Sequence, residues 1–234
     1  MIDYRCLTAE DAADCWAFYL DVYVPEFPLD QRETPTLWLR LMRSDANPHV
    51  RVILASDNQQ IIGGIVFEEF QNTRSWLLAY LVVRPDYRCQ GVASGLLKEM
   101  LRMVQTQSFP LLFTEVDPSD AVRLMIFSKL GFRRVLLDYV PPALSSGQPT
   151  VNNFWLMVHQ ENNVLNTRVR SFLAEYYASL HQLPSPHLTM MDATLGDETT
   201  QVWTQPLAVD QDYTSVSAAA CHPSPGFPQA SFAE

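Results

Sequence analysis

The densest run of chemistry-bearing residues is Leu81-Val82-Val83-Arg84-Pro85-Asp86-Tyr87-Arg88-Cys89-Gln90-Gly91-Val92-Ala93. An apolar strand ends at Val83, a turn containing Pro85 follows, and a helix opens on Gly91-Val92-Ala93. Small residues at 91 and 93 let backbone N–H groups converge, and the positive end of a helix adds to their pull on an anion. Such a turn suits a phosphate or pyrophosphate. Glu68 and Glu69 form a second group, inside a run from Ile61 to Phe70 that is otherwise largely apolar. Strand alternation puts them on opposite faces. Either one faces a cleft and binds a cation there, or both mark an exposed strand end. The five histidines, His49, His159, His181, His187 and His222, show no ligand spacing, so no metal is assigned. Cys6, Cys15, Cys89 and Cys221 lack metal or redox spacing and read as reduced thiols.

Arg88, Gly91 and Ala93 match, position by position, a loop pattern (Gln/Arg)-X-X-Gly-X-(Gly/Ala). Further on, Glu115-Val116-Asp117-Pro118-Ser119-Asp120 and Phe127-Ser128-Lys129-Leu130-Gly131-Phe132 fit a second motif at its usual spacing. On these residues the sequence resembles the GNAT N-acetyltransferase superfamily over roughly residues 1–160. The resemblance implies an α/β fold: a mixed six- to seven-stranded sheet with helices on both faces, splayed between the strand at 76–83 and that at 111–116. Acetyl-CoA, or another acyl-CoA, would lie in the splay as co-substrate. Its pantetheine would run along Leu81, Val82 and Val83, pairing with the backbone of Leu81 and Val83. Its pyrophosphate would sit on Arg88, Cys89, Gln90, Gly91, Val92 and Ala93. Cys89, facing phosphate, is expected to have no nucleophilic role.

The same resemblance points to roles in transfer. Asp120 stands where relatives often carry an Asn that touches the cofactor. Phe127 stands where many carry a Tyr that protonates the departing thiolate, which Phe cannot do. Glu115 occupies the position of a glutamate that, in some relatives, deprotonates the attacking amine; the alternative is a strand-end carboxylate paired with Arg123 or Arg134. The other position where relatives carry a base is Leu77 here. Tyr139 is a candidate substitute acid or acceptor contact, or else a buried core tyrosine. The loop Glu26-Phe27-Pro28-Leu29-Asp30-Gln31-Arg32-Glu33 lies where such enzymes build the acceptor wall.

These side chains need a scaffold, and the chain supplies alternating strands and helices. Strands are expected at 1–6, 50–56, 61–70, 76–83, 111–116, 133–140 and 153–159. Thr8 is expected to cap a helix starting near Ala9, in which Trp16, Tyr19, Leu20 and Tyr23 fall at helical spacing. A short helix around 36–43 and helices at 92–106 and 120–130 complete the body, the last stopped by Gly131. Residues 1–160 thus read as the acyltransferase domain and 161–194 as a helical extension starting at Asn166 or Thr167. Residues 195–234 read as an extended or weakly ordered acidic tail rich in Pro, Ser and Ala, dispensable for cofactor binding.

Charge narrows the partners. Of 26 acidic and 16 basic residues, seven acids and no Lys or Arg follow Arg170, so residues 1–170 carry only a small net negative charge. That excludes the basic stripe nucleic-acid binding requires. No apolar run reaches membrane-spanning length, and the N-terminus lacks a secretory apolar core, so a cytoplasmic protein is expected. The activity expected is transfer of an acetyl or short acyl group to a primary amine of a small molecule or peptide. A non-catalytic acyl-CoA-binding module of the same fold is the alternative, and a homodimer is left open.

Overall fold

The structure, a computed structural model, describes residues 1–43, 45–106, 111–142, 154–159, 166–181 and 204–205. Strand β1 (Asp3–Cys6) is followed by α1 (Ala12–Phe18), a π turn (Tyr19–Tyr23) and α2 (Pro35–Leu41). Then come β2 (His49–Asp57), β3 (Gln60–Phe70), β4 (Ser75–Val83), α3 (Val92–Thr106), β5 (Leu111–Val116) and α4 (Ala121–Lys129). The remaining elements are β6 (Phe132–Val135), β7 (Trp155–His159), α5 (Asn166–His181) and the two-residue β8 (Thr204–Gln205). They form one mixed sheet in the order β1-β2-β3-β4-β5-β7-β6-β8, in which β4 and β5 are the one parallel pair among the described residues.

Alternation along the strands sorts the core into layers. Ile53, Phe67, Trp76, Leu78 and Leu112 face the apolar stripe of α3 (Leu96, Leu97, Met100, Val104) and Phe127 of α4. The opposite face carries two separate clusters. One packs α1, the π turn and α2 on Val52, Leu54, Val66 and Val82. The other packs α5, through Val169, Phe172, Leu173, Tyr176 and Tyr177, on Leu77, Leu111, Phe113, Leu156 and Val158. Phe172 stacks on Phe113 with centroids 4.0 Å apart and planes 8° from parallel. Between these two clusters runs a seam over β3, β4 and β5.

A β-bulge shapes that seam. Val66 pairs with Tyr80 but Phe67 with Leu78, so Ala79 is an extra residue in β4. One inserted residue reverses the side-chain alternation beyond it. Tyr80 is thereby turned onto the same face as Leu77, beside the α1 cluster.

Several elements differ from the sequence expectation. The first helix begins at Ala12 instead of near Ala9, because Asp11 takes the N-cap position while its carboxylate accepts hydrogen bonds from Thr8 N (2.7 Å) and Oγ1 (2.8 Å). The π turn widens the winding after Phe18. Trp16 and Leu20 point outward, at 42% and 56% exposure, while Cys15, Phe18, Val22 and Tyr23 are buried. The sixth strand stops at Val135 rather than Val140: the Leu137 amide bonds to Val135 O and the Tyr139 amide to Leu137 O, which curls the chain off the sheet. Two residues of the expected tail, Thr204 and Gln205, pair with Val135 and Arg134, giving an eighth strand at the edge. The rest of the tail lies outside the described residues.

Candidate active site

The parallel pairing of β4 and β5 runs from Ser75–Leu78 against Leu111–Thr114 and goes no farther. Thr114 Oγ1 donates to Leu78 O at 3.2 Å at its last rung. Beyond it β4 stays with β3, Leu81 opposite Ile65 and Val83 opposite Gly63, while β5 stays with β7, Glu115 opposite Leu156. The strands diverge, and a cleft opens between them. Phe127, Ile126 and Arg123 of α4 line one side, and Phe27, Tyr80 and Glu115 reach it from the other.

At the mouth of β4, a 3-10 turn (Pro85–Tyr87) leads into the loop before α3. Gln90 Nε2 donates to Asp86 O at 2.9 Å. Gly91 has φ +82°, and a Cβ added there would meet no atom within 4 Å, so its outer face is open. Gly91 O accepts the first helical bond of α3, from Gly95 N at 2.9 Å. The first-turn amides after Gly91 therefore have no intrahelical acceptor, which leaves them for an anion. An open face over a helix N-terminus fits a pyrophosphate.

Two side chains of this region are otherwise engaged. Arg88 donates from Nε to Val83 O (3.2 Å) and from Nη2 to Glu26 (2.5 Å), which ties the phosphate loop to the acceptor loop. Asp120 caps α4 by accepting from Arg123 N at 2.9 Å and pairs with Arg123 Nε at 3.1 Å. That pairing offsets a negative charge that would otherwise repel phosphate. Cys89 is disulfide-bonded, whereas Cys6 and Cys15 are free. The reading of all four cysteines as reduced thiols is corrected on this point.

Behind the cleft, in the seam, carboxylates and phenols from separate elements meet. Tyr139 donates its hydroxyl to Glu115 Oε1, and Tyr176 of α5 donates to the same oxygen from 3.4 Å. Neither Arg123 nor Arg134 is its partner: Arg123 pairs with Asp120, and Arg134 stacks over Trp155 at 4.0 Å. Burial raises the Glu115 carboxyl to about 7, and the two phenols limit the rise. Glu68, on β3 opposite Leu77, is raised to about 8 by burial first and then by Glu33 and Glu115. Glu69 is 7% exposed on the other face and pairs with Arg51 at 3.0 Å. The two glutamates therefore do lie on opposite faces, but the exposed-strand-end alternative is overturned. Tyr80, whose hydroxyl bonds to Gln31 O at 3.2 Å, and Tyr23, which accepts from Glu33 N at 3.2 Å, complete the seam.

The sequence pattern of the acetyltransferase (GNAT) family matches residues 16–132, half of the chain. The chain belongs to the GNAT acetyltransferase family. It is an acyl-CoA-dependent acetyltransferase, with the mixed open sheet of that fold. A putative GNAT acetyltransferase from Bacteroides thetaiotaomicron has a similar structure, with TM-score 0.58 and 16% identity over 75% of this chain and 95% of that one. The ribosomal-protein-S18-alanine N-acetyltransferase from Escherichia coli gives a TM-score of 0.51 and 16% identity over 68% and 93%. A probable acetyltransferase from Staphylococcus epidermidis gives 0.53 and 10% over 69% and 100%. No curated protein matches the sequence. Among the described residues no helix is long and apolar enough to cross a membrane.

Within this GNAT fold the expected residues occupy two places. Leu81 lines the cleft from β4 and Phe127 from α4, while Val82, Val83 and the 88–93 loop follow Leu81 along the chain and Asp120 caps α4. Glu115, Tyr139 and Glu68 lie across the sheet in the seam. The seam also holds Tyr23, Tyr80 and Tyr176, which sequence reading did not single out as functional, and Glu33, the last residue of the loop expected to build the acceptor wall. Tyr176 carried only a core signal, as one apolar position in the stripe of α5. Tyr80 lay in the most apolar strand, and nothing local marks the bulge that redirects it.

Proposed function

We propose that this acetyltransferase moves an acetyl or short acyl group from acyl-CoA to a primary amine of a small molecule or peptide, with Glu115 as the base. The observation that supports this most is the placement of Glu115. It stands on β5 where the strands part, it lines the cleft, and among the described residues no arginine or lysine pairs with its carboxylate, Arg123 of the same cleft being paired with Asp120. A carboxylate titrating near neutrality can accept a proton from an ammonium and be regenerated.

In this reading the pantetheine arm lies along Leu81, Val82 and Val83, with the pyrophosphate on the open face of Gly91 and the amides beyond it. Arg88, now held by Val83 O and Glu26, is within the same loop and exchanges those partners for phosphate. Asp120 acts on the cofactor indirectly, by fixing the start of α4. Glu115 takes a proton from the acceptor ammonium, directly or through a water. The neutral nitrogen attacks the thioester carbon; the N–C bond forms and the C–S bond breaks. A β4 backbone N–H near Val83 stabilises the developing oxyanion. Phe127 offers no proton to the departing sulfur. The Tyr139–Glu115 pair holds the proton taken from the ammonium, and the second nitrogen proton, shed as the amide forms, goes to the departing thiolate directly or through a water.

A thiol-release assay with acetyl-CoA across a panel of primary amines tests the proposal. Amine-dependent thiol release that falls with Glu115→Gln is expected. If acetyl-CoA binds tightly but no amine releases thiol, the chain is a cofactor-binding module and the transfer reading fails.

A further inference from the structure

We infer that Arg123 does the work of the acid missing at position 127, its guanidinium holding the departing thiolate as an anion without giving it a proton. The inference rests on the acyl-transfer reading and adds a catalytic residue to it.

The argument starts from what lines the cleft. Arg123 and Phe127 stand four residues apart on α4, on one face of the helix, and both line the cleft. Leu81 lines it from β4, the strand along which the pantetheine arm would run, and Glu115 lines it from β5. Among the described residues Arg123 is the one Arg or Lys in that lining. A thioester at the end of the arm therefore has a carboxylate in one wall and a guanidinium in another.

Arg123 is free to serve there. Asp120 takes its Nε at 3.1 Å, and among the described residues no hydrogen bond engages its two terminal nitrogens. Stability does not account for the side chain: an exposed i,i+3 pair contributes little. Asp120 caps α4 through the Arg123 backbone N at 2.9 Å, a bond that any residue at 123 supplies. Half of the Arg123 side chain is in water, with 52% exposure. Bound acyl-CoA would exclude that water and strengthen the attraction of the guanidinium for an anion.

The chemistry balances without an acid. The N–C bond forms, the C–S bond breaks, and the electron pair of the broken bond goes to sulfur. A thiol titrates at about 8.5, so sulfur leaves readily as an anion where a positive charge meets it. A guanidinium stays protonated and offers several N–H donors to that anion. The sulfur then receives the second nitrogen proton, and nothing at position 127 has to supply one.

The test reads the ionisation of bound CoA on the full-length protein, without turnover. Thiolate absorbance in the ultraviolet is followed against pH, with the complex of dethio-CoA, which lacks the sulfur, subtracted. Glu115, Tyr80, Asp117 and Asp120, the other ionisable groups around the cleft and Arg123, are common to both complexes. In the parent the bound thiol should titrate at least about one unit below free CoA, a preference of about tenfold for the thiolate. Arg123→Gln should remove that shift, and Arg123→Lys should restore part of it. Asp120→Asn keeps a capping side chain and removes the charge opposing Arg123, so it should lower the titration further. On a true acceptor Arg123→Gln should lower kcat at least about tenfold with little change in the KM for acetyl-CoA. Where Arg123→Gln lowers the melting temperature, Arg123→Lys and Asp120→Asn carry the comparison. A bound thiol that titrates as in free CoA, or one that the Arg123 and Asp120 variants move in the same direction, overturns the inference. A thiol that responds as expected while no amine is acetylated upholds the thiolate contact and sinks the transfer reading. Failure of CoA to bind overturns both.

Discussion

Tyr139 lies past the end of β6 and Glu115 within β5, yet the phenol of one donates to the carboxylate of the other across 24 residues of sequence. Tyr176 adds a second donor to the same oxygen at 3.4 Å. Two phenols on one oxygen orient the carboxylate and stabilise its charge, and so limit what burial does to its pKa. Glu115 also lines the cleft.

Glu115→Gln is expected to lower kcat by at least about tenfold, since loss of a general base typically costs about 10²–10⁴. The base works as the carboxylate, so kcat/KM of the parent should rise with pH through about 7. Ionisation of the acceptor is common to both proteins, so the difference between their profiles isolates Glu115. A variant running at the parental rate on a true acceptor would show that the base lies elsewhere.

Tyr139→Phe keeps the ring and removes a donor that holds the Glu115 pKa down. The acidic limb of the profile should therefore move to higher pH, with a smaller shift for Tyr176→Phe, whose contact is longer. A loss of rate at every pH with no movement of the limb would instead make Tyr139 the acid for the thiolate. No change in either would return it to the core.

Glu68 links pH to stability. Its carboxyl is raised from 4.5 to about 8 in the folded state, in the company of Glu33, Glu115, Tyr80 and Tyr176. A raised folded pKa favours the protonated form, so this stabilisation is complete below about pH 4.5 and fades as pH rises toward 8. The melting temperature of the protein without ligands should fall across that window, and Glu68→Gln should flatten the fall. Parallel melting curves for parent and variant would place Glu68 in water.

Phe127→Tyr should leave the rate alike or raise it slightly. Phe127 is 5% exposed, packs against Phe132 and lines the cleft, and relatives that carry Tyr at this position use its hydroxyl on the departing thiolate. A tenfold drop would show that the ring, not a proton, matters at this position.

Gly91→Glu should abolish measurable acetyl-CoA binding by calorimetry. The substitution puts a carboxylate on the open face of the loop and forces a side chain onto φ +82°. Parental affinity in this variant would move the pyrophosphate elsewhere.

What was legible in the sequence is local. Val83 through Ala93 is a contiguous strand, turn and helix start, so residue types alone point to a small-residue turn that opens a helix. Glu115 was likewise legible, because the motif around it continues straight into α4. The tertiary structure decided everything that depends on parity or on distant partners. One extra residue at Ala79 turns Tyr80 into the seam, and one π turn carries Tyr23 inward while leaving Leu20 in water. Arg88 meets Glu26 62 residues away, and Tyr176 reaches Glu115 across 61. Short-range propensities set which elements form. Whether three carboxylates from separate elements share one seam depends on how two apolar clusters divide one face of the sheet, and only packing of the whole chain sets that division.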